Sequence, residues 1–486
     1  MGSCTYVVGP RGGPGRDPLC SGGRHLGTNN SRRMRLQSRV TCPHCWHLFA
    51  PEDVLWIAQH PDLLGDARLG PEQPQRFLPS RFTVDGNAID PRGMTCHDLA
   101  CPRCHLLVPR AMLEMQPFFV SILGTPACGK SYFLTSMTWQ LRRHLPKYFC
   151  MALGDADPAM NRSLTEYEEL QFLNADPDKL VAIRKTELQG ELYNSVLFGD
   201  QSVSYARPFI FSLTPLDDHP NFGSGDRLAR ALCLYDNAGE HFLPGADTAT
   251  SPVTRHLALS AVLFYLFDPT QDPRFREACR GRTHDPQMLD RARTNRQEVV
   301  LAEAANRIRR YVGLEQSGKH SRPLVVVVTK YDAWCSLLNN EQLRYPCVVS
   351  KSQHLAAIDL ESIEGVSNRV RQVLWQYSPE LVAAAEGFAQ SVTYIPVSAI
   401  GRNPEVDPQT GLLGVRPRDI RPVWADVPLL YAMCCWMSGV IPYFKRATAH
   451  RASASQPSSK SAAADGSHKP RANDAPRAIE GREPAA

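Results

Sequence analysis

The sequence has no strong charge imbalance, no apolar segment near its start and only one long uncharged run. Its formal net charge of +5 over 486 residues gives little support to binding of nucleic acid through bulk charge. The first thirty-odd residues contain Gly, Arg and Pro but no apolar core, so we expect no secretory signal peptide. The fifteen cysteines are therefore expected in a cytoplasmic setting, where paired cysteines bind metal more often than they form disulfides.

The one long uncharged run covers residues 427–444. Its length lies at the lower limit of the roughly 17–25 residues that a membrane-spanning helix needs. Pro428 follows Asp426, where a first helical turn accepts proline, and Pro442 lies near the end of the run. This pattern favours a buried terminal helix over the alternative of a membrane span.

Two short cysteine turns resemble each other closely. Cys42 and Cys45 flank a Pro-His pair, and Cys101 and Cys104 flank a Pro-Arg pair. Together they supply four thiolates, the tetrahedral ligand set that Zn²⁺ prefers in closed structural sites. The turns lie much further apart than the roughly 15–20 residues of a compact ribbon, so the segment between them is interpreted as an insertion. A redox role is the alternative, and three nearby residues are possible substitute ligands: Cys96, His97 and His47.

The strongest local motif is GTPACGKS at residues 124–131. It fits G-x-x-x-x-G-K-[ST], a loop whose backbone N–H groups surround nucleotide phosphates. Residues 117–123 precede it as a predicted buried strand, and residues 132–145 follow it with helical spacing. This order places a helix N-terminus against an anion. The predicted phosphate-binding residues are Gly124, Thr125, Pro126, Ala127, Cys128, Gly129, Lys130 and Ser131.

Apolar runs alternate with helical patterns along the rest of the chain. Strands are predicted at 207–214, 231–235, 261–267, 323–328 and 391–397. Helices are predicted at 164–175, 177–186, 295–312 and 355–376, and from Pro428 onward. Strands that are apolar throughout predict an α/β fold with a mostly parallel sheet covered by helices on both faces. Ligands of such sheets bind at the carboxyl ends of the strands.

Composition and motifs together divide the chain into four parts. Residues 1–36 are rich in Gly, Arg and Ser, and residues 446–486 in Ala, Ser and Pro, so both ends are predicted to be disordered. Between them we predict a zinc-ribbon module with an insertion at 37–112 and the α/β nucleotide-binding domain at 115–445.

Three further motifs directly follow predicted strands: DNAGE at 236–240, TKYD at 329–332 and VSAI at 397–400. In this order after the phosphate loop they resemble the P-loop GTPases of the translation-factor and Ras-like class, over roughly residues 115–445. The cysteine turns and long inserts also resemble, more loosely, the double-GTPase (DO-GTPase) type of domain of bacterial conflict systems. The resemblance implies a G-domain fold with GTP or GDP and Mg²⁺ as ligands.

The resemblance also implies roles around the phosphates. Lys130 would lie between the β- and γ-phosphates, and Ser131 would hold Mg²⁺. Asp236 would hold that ion through water, and the Gly239 N–H would meet the γ-phosphate.

At the base, Asp332 would accept hydrogen bonds from guanine N1–H and N2–H, a donor pair that adenine does not offer. The Lys330 stem would pack over the ring, and the Ala399 N–H, beside Ser398, would contact guanine O6. Thr329 stands where Asn is commonest in this class.

The sequence supports binding more strongly than fast hydrolysis. Glu240 follows Gly239 where Ras-like enzymes have Gln and translation factors have His, and a carboxylate repels the γ-phosphate. Glu240, its neighbour His241 and Lys130 are the predicted catalytic residues, and we expect slow or activator-dependent hydrolysis. The Mg²⁺-binding threonine of the first switch is predicted to be Thr186, with Thr165 as the alternative.

The leading hypothesis is a cytoplasmic GTP-binding switch whose zinc ribbon binds a protein effector or regulator. One alternative is an ATPase in which TKYD is coincidental, although Asn237 stands where many ATPases have a catalytic Glu. Another alternative is a nucleotide-bound scaffold that does not hydrolyse. Nucleic acid is the less favoured ligand of the ribbon, because Arg103 and Arg110 lack interleaved aromatic residues.

Overall fold

A computed structural model describes residues 36–183, 193–237, 253–290, 294–349, 355–409 and 411–444. The predicted disordered ends fall almost entirely outside these residues. Residues 36–115 are called the cysteine module. Its strands are β1 (Val40–Thr41), β2 (Leu48–Phe49), β3 (Leu55–Ile57), β4 (Leu64–Asp66), β5 (Gly70–Pro74), β6 (Arg76–Phe77), β7 (Ala88–Ile89), β8 (Thr95–Cys96) and β9 (Leu99–Ala100).

The remaining strands and the helices follow in chain order. The strands are β10 (Gln116–Gly124), β11 (Met151–Asp155), β12 (Tyr193–Phe198), β13 (Gln201–Ala206), β14 (Phe209–Pro215), β15 (Arg230–Asp236), β16 (Val262–Phe267), β17 (Leu324–Val328), β18 (Cys347–Val349), β19 (Ala356–Asp359), β20 (Val392–Pro396), β21 (Glu405–Val406), β22 (Leu413–Gly414) and β23 (Tyr443–Phe444). The helices are α1 (Ala111–Glu114), α2 (Lys130–Phe149), α3 (Arg162–Phe172), α4 (Gly225–Leu228), α5 (Val253–Leu259), α6 (Pro273–Ala278), α7 (Pro286–Leu289), α8 (Gln297–Val312), α9 (Tyr331–Trp334), α10 (Leu360–Tyr377), α11 (Pro379–Phe388) and α12 (Val427–Trp436).

The central sheet of the described chain has seven strands in the order β11-β14-β15-β10-β16-β17-β20. The five strands from β15 to β20 run parallel, whereas β14 and β11 are antiparallel to their inner neighbours. β16 and β17 are buried at every position, as expected of Val- and Leu-rich strands covered on both faces. The predicted α/β fold with a mostly parallel sheet is thus confirmed.

Helices cover both faces of the sheet. On one face, the ring of Phe264 in β16 lies 6.3 Å from that of Phe133 in α2. On the other, the hydroxyl of the next residue, Tyr265, donates to the carbonyl of Gln297 at the start of α8 at 2.5 Å. Successive residues of a strand point to opposite faces, so α2 and α8 lie on opposite sides of β16.

The cysteine module packs on the same face as α8, against β10 and β15. The Trp46 ring lies 4.2 Å from Phe119 of β10 and 6.2 Å from Tyr235 of β15. Trp46 is only 8% exposed, and Phe119 and Tyr235 belong to the same buried cluster. The module is therefore part of the domain core and not an appendage on a linker.

Two predicted helices are wrong in part. Within 177–186, Val181 forms an antiparallel bridge with Val415, and residues 184–186 lie outside the described residues. Residues 356–359 form β19 before α10 begins, because they pair with β18 and β23. Partner strands distant in sequence override the local helical pattern at both places. The strand β11 and the β12–β13 hairpin, within a stretch predicted to be partly helical, were not predicted.

The terminal apolar helix is α12, which ends at Trp436. Most of it is buried, including Leu429, Leu430 and Met433. Among the described residues, none of the helices combines the length and apolarity that crossing a bilayer requires.

Candidate nucleotide site and four-cysteine cluster

The phosphate loop at residues 124–131 joins β10 to α2 at the carboxyl end of the sheet. Ala127 and Gly129 have positive φ angles of 58° and 92°, which turn the chain sharply before the helix begins at Lys130. Gly124 is close-packed: a Cβ there would lie 2.8 Å from both Cys128 Sγ and the Leu266 carbonyl oxygen. A side chain at residue 124 would therefore push the loop away from β16.

Lys130 is buried and folds back onto its own loop. Its Nζ donates to the carbonyl oxygens of Gly124 at 3.1 Å and Thr125 at 3.0 Å. The loop is also braced from outside, because the Thr125 hydroxyl donates to Gln271 Oε1 at 2.9 Å and Gln271 Nε2 donates to the Pro126 carbonyl at 3.0 Å. These contacts hold one positive charge at the mouth of a helix N-terminus, an arrangement suited to phosphate.

Asp236 ends β15 beside this loop. Ser131 Oγ donates to its Oδ2 at 3.4 Å, while its buried Oδ1 has no hydrogen-bond partner among the described residues. Burial raises the pKa of Asp236 to about 6, against the opposing effect of the nearby Lys130 charge. A hydroxyl beside a carboxylate with an unused buried oxygen is a donor set that fits Mg²⁺, which binds oxygen ligands. Ser131 and Asp236 would therefore hold this ion.

A cavity of about 300 Å³ opens from the phosphate loop. Its walls contain most of the predicted nucleotide-binding residues, which come from three loops at carboxyl ends of strands: residues 126–131, Thr329, Lys330, Asp332, Ser398 and Ala399. Gly124 and Thr125 lie at the base of the loop, and Asp236 lies beside Ser131. The sequence thus predicted residues that the fold brings together at one site.

Asp332 lies at the end of the cavity formed with Ser398. The Ser398 hydroxyl donates to Asp332 Oδ1 and accepts the Gly401 N–H at 2.7 Å. Burial raises the pKa of Asp332 to about 7, and the Ser398 hydrogen bond opposes that rise. The Ser398 hydroxyl therefore holds a carboxylate that lines the cavity wall.

Lys330 is fixed by three acceptors that the sequence analysis did not identify. Its backbone has a φ of 54°, and its Nζ donates to Asp268 Oδ2 at 2.5 Å, Gln287 Oε1 at 2.8 Å and Thr270 Oγ1 at 3.1 Å. An ammonium group has three N–H donors, so this set uses all of them. The aliphatic stem is thereby positioned in the cavity wall.

Thr329, the first residue of the TKYD motif, connects this motif to the phosphate loop. Its hydroxyl lies 3.1 Å from the Phe267 carbonyl oxygen and 3.3 Å from that of Cys128. A threonine in place of the commoner asparagine therefore still contacts the phosphate loop.

The cavity lining also includes apolar residues, among them Ala182 and Ile183. The preceding Val181 exchanges backbone hydrogen bonds with Val415 at 2.9 and 2.8 Å. The Ile183 N–H donates to the Tyr132 hydroxyl of α2 at 3.0 Å. The described chain therefore lines the cavity as far as Ile183, the last residue before the segment 184–192.

Four predicted residues lie outside the described residues: Thr186, Gly239, Glu240 and His241. Their roles remain predictions. Thr165, the alternative to Thr186, lies on α3, where its hydroxyl donates to the Asn161 carbonyl at 3.3 Å. It does not belong to the described cavity wall.

Of the residues that the sequence analysis missed, Asp268 could have been predicted from its position in the sequence. Asp268 directly follows the buried strand β16, and an acidic residue at the carboxyl end of a parallel strand indicates a site. Gln271 and Gln287 carried no comparable signal, because they are placed by a long, charged loop.

The four cysteines of the two turns form a compact cluster. Their Sγ atoms all lie within 4.8 Å of one another, and the contacts Cys42–Cys104 and Cys45–Cys101 are each 3.7 Å. A disulfide would require about 2.05 Å. A tetrahedron with Zn–S bonds of about 2.3 Å has sulfur–sulfur edges of about 3.8 Å. The geometry therefore fits zinc and not disulfides.

Backbone and burial support the same interpretation. The His44 N–H donates to Cys42 Sγ and the Arg103 N–H to Cys101 Sγ, each at 3.4 Å. Burial raises the pKa of the Cys42 thiol, so in this environment a thiolate needs a cation. Cys96, His97 and His47 lie outside the cluster, so no substitute ligand is needed.

Comparisons with known proteins add little to this geometry. No protein family matches the sequence, and neither does any curated protein sequence. The solved structures with slight similarity to this chain include the following three. The elongation factor SelB from Methanococcus maripaludis, in complex with the GTP analogue GppNHp, is 11% identical with a TM-score of 0.18. Era in complex with MgGDPNP and part of 16S ribosomal RNA is 11% identical with a TM-score of 0.20. The signal recognition particle receptor complex SRβ-GTP/SRX from Chaetomium thermophilum is 15% identical with a TM-score of 0.21.

Each match covers 59% of this chain. The chain spans only 30% of the SelB chain and 52% of the Era chain. It spans 95% of the receptor chain. Scores this low carry no argument about fold or ligand. The strand order and the loops at the carboxyl ends define the class, a P-loop α/β domain that contains a four-cysteine cluster.

Proposed function

We propose that the protein is a GTP-binding switch. The observation that carries this proposal is that one cavity is lined both by the phosphate loop and by a carboxylate, Asp332, that the Ser398 hydroxyl holds in place. Guanine offers two adjacent donors, N1–H and N2–H, to such a carboxylate, whereas adenine offers an acceptor at N1. The site therefore favours guanine by chemistry as well as by motif order.

The proposed roles follow the contacts. Lys130 and the loop N–H groups would bind the phosphates, and Ser131 with Asp236 would hold Mg²⁺, which supplies charge neutralisation at the β- and γ-phosphates. The Lys330 stem, held by Asp268, would cover one face of the base. The Ala399 N–H would meet guanine O6.

We further propose that hydrolysis is slow or depends on an activator. Glu240 and His241 are the candidates for orienting water, with Lys130 stabilising charge on the phosphates. A carboxylate at 240 would weaken water attack through its repulsion of the γ-phosphate. The non-hydrolysing scaffold remains a second candidate for this reason.

The ATPase alternative is disfavoured by the side chain of Asn237. Its Nδ2 donates to the Ile122 carbonyl at 2.8 Å, and its Oδ1 accepts from His256 Nε2 at 2.7 Å. Both ends of the amide are therefore used within the domain. The residue at the position of the catalytic Glu of many ATPases therefore has a structural role here.

The test is competition for the purified full chain with Mg²⁺ present. Fluorescent GDP should be displaced by GTP and not by ATP, and equal displacement by both would overturn the proposal. Single-turnover release of phosphate then distinguishes a GTPase from a scaffold that does not hydrolyse the nucleotide. A measurable rate supports a GTPase, and a rate of zero within error supports the scaffold.

The cysteine module is proposed to contact a protein effector or regulator through its outer part. The metal-binding turns themselves are buried against the sheet, so a partner would meet the insertion between them. Leu78 and Phe82 are exposed there, at 63% and 53%. Nucleic acid is the less favoured partner, and a cytoplasmic location is proposed with the switch.

A pH dependence is expected from Asp332. Guanine needs its carboxylate form, and a pKa of about 7 leaves roughly one tenth of it ionised at pH 6 and nine tenths at pH 8. The affinity for GDP should therefore fall about tenfold from pH 8 to pH 6, as measured by fluorescence titration. The Ser398 hydrogen bond lowers this pKa, so Ser398→Ala should shift the midpoint to higher pH. An unchanged midpoint would assign the dependence to another group, such as the nucleotide phosphates.

A further inference from the structure

The first cysteine turn, residues 42–46, contacts the residue next to the proposed magnesium ligand. Tyr235 immediately precedes Asp236 in β15, and its hydroxyl donates to the Pro43 carbonyl at 2.5 Å. Pro43 is bonded directly to Cys42. One hydrogen bond, from the Tyr235 side chain to the Pro43 backbone, therefore links the turn that holds Cys42 to the strand that ends in Asp236.

The same turn also contacts α5, the helix that follows the segment 238–252. Arg255 of α5 donates to the carbonyl oxygens of Cys45 at 3.0 Å and Trp46 at 3.2 Å. The turn thus holds the two elements that flank the segment containing Gly239 and Glu240.

The end of β15 and helix α5 also contact each other, and Asn237 contacts β10. The ring of His256 in α5 stacks on Tyr235 with centroids 4.6 Å apart and planes within 4°. The Asn237 Nδ2 group donates to the Ile122 carbonyl, so the amide oxygen Oδ1 faces His256. An amide oxygen only accepts, and His256 Nε2 is therefore the donor in this contact. The contacts are buried, so displacement of either flank would leave polar groups unpaired.

A second connection runs through the β12–β13 hairpin, which follows the segment 184–192. Arg68 of the cysteine module donates to the Leu197 carbonyl at 3.2 Å, and the Leu197 N–H donates to the Arg68 carbonyl at 2.8 Å. The guanidinium of Arg68 lies 4.5 Å from the centre of the Phe198 ring. The cysteine module therefore contacts the chain on the C-terminal side of two segments, 184–192 and 238–252. These segments contain the predicted switch residues Thr186 and Gly239.

We propose that metal binding by the cysteine cluster is coupled to the nucleotide state through Tyr235 and Arg255. With Mg²⁺ and a triphosphate bound, Ser131 and Asp236 are fixed, the end of β15 is fixed with them, and the first turn holds its metal more tightly. Coupling of this kind is reciprocal, so the metal-loaded chain also prefers the triphosphate. This inference rests on the proposed guanine nucleotide site.

The test measures zinc affinity by competition with a chromophoric chelator, on the full chain saturated with Mg²⁺-GTPγS or with GDP. Zinc should bind about fivefold or more tightly in the GTPγS state, the lower end of usual allosteric coupling. Tyr235→Phe keeps the packed ring and removes only the hydroxyl, and Arg255→Ala removes the second connection. Each should bring the ratio towards one while GDP binding and zinc stoichiometry are retained.

Arg110→Ala is the matched control, because Arg110 lies in the same module but is exposed and pairs only locally, with Glu114 at 2.7 Å. It should keep the wild-type ratio. Equal zinc affinity in the two nucleotide states would overturn the coupling, as would an unchanged ratio in both Tyr235→Phe and Arg255→Ala. Failure of the proposed function is distinguishable, since the wild-type chain would then bind neither guanine nucleotide or would release GDP to ATP as readily as to GTP.

Discussion

Replacing Asp332 with Asn is expected to lower the affinity for GDP by two to four orders of magnitude and to admit a xanthine nucleotide. The carboxylate would accept two hydrogen bonds from guanine, and hydrogen bonds to charged groups contribute about 1.5–3 kcal/mol each. The Asn amide presents one donor and one acceptor. Xanthine carries a carbonyl at C2 where guanine carries an amino group, so it matches that pair, with its N1–H donating to the amide oxygen.

The measurement is the ratio of the dissociation constants for GDP and XDP in the wild type and in Asp332→Asn. Asp285→Asn is the matched control, because Asp285 is a buried carboxylate in the same cavity wall whose Oδ1 accepts the Gln287 N–H at 2.7 Å. It should keep the wild-type preference for GDP. If Asp332→Asn still prefers GDP over XDP, Asp332 does not read the base and the proposed specificity fails.

The site residues whose positions could be predicted from the sequence are those that local backbone geometry or the order of the strands determines. The phosphate loop needs Gly129 in a left-handed turn before a helix, and that requirement is visible in the letters themselves. Asp332 and Ser398 are distant in sequence, but each lies in a motif that follows an apolar strand, and parallel strands end at the same edge. That rule predicts that the two loops lie close together, and in the structure Ser398 and Asp332 are hydrogen-bonded.

Other parts of the site depend on contacts that no local pattern encodes. Gln271 braces the phosphate loop because a long loop after β16 returns to it, and glutamine occurs on many surfaces without such a role. The strand β19 pairs with β18 and β23, and residues 356–359 alone are compatible with helix. Local propensity is a weak guide where pairing partners lie far along the chain.

The position of the cysteine module illustrates the same limit. The two cysteine turns predicted a four-thiolate site, and the observed cluster agrees with that prediction. Nothing in their spacing indicated that Trp46, the residue after the second cysteine, would pack against Phe119 and Tyr235. A tryptophan beside a metal ligand fits either an exposed partner surface or a core contact, and only the folded sheet distinguishes them.

Replacing Cys104 with Ser is expected to give the largest loss of stability. Structural zinc sites contribute about 10–16 kcal/mol of apparent binding free energy, and a hydroxyl is a much poorer ligand than a thiolate. The cluster also positions the turn that packs against β10 and β15, so its loss would loosen part of the domain core. A loss of even 3–4 kcal/mol would lower the melting temperature by roughly 4–5 °C in a domain of this size.

The matched control for that variant is Cys96→Ser, since Cys96 is buried in the same module but lies outside the cluster. Zinc measured by elemental analysis should be one ion per chain in the wild type and in Cys96→Ser, and well below one in Cys104→Ser. Chelation of zinc from the wild type should reproduce the lower melting temperature, because both changes remove the cation that four buried thiolates require. If Cys104→Ser retained full zinc and its melting temperature, Cys104 would not be a ligand. A similar loss in Cys96→Ser would instead assign the destabilisation to repacking around a buried thiol, so the pair of variants separates the metal from the packing.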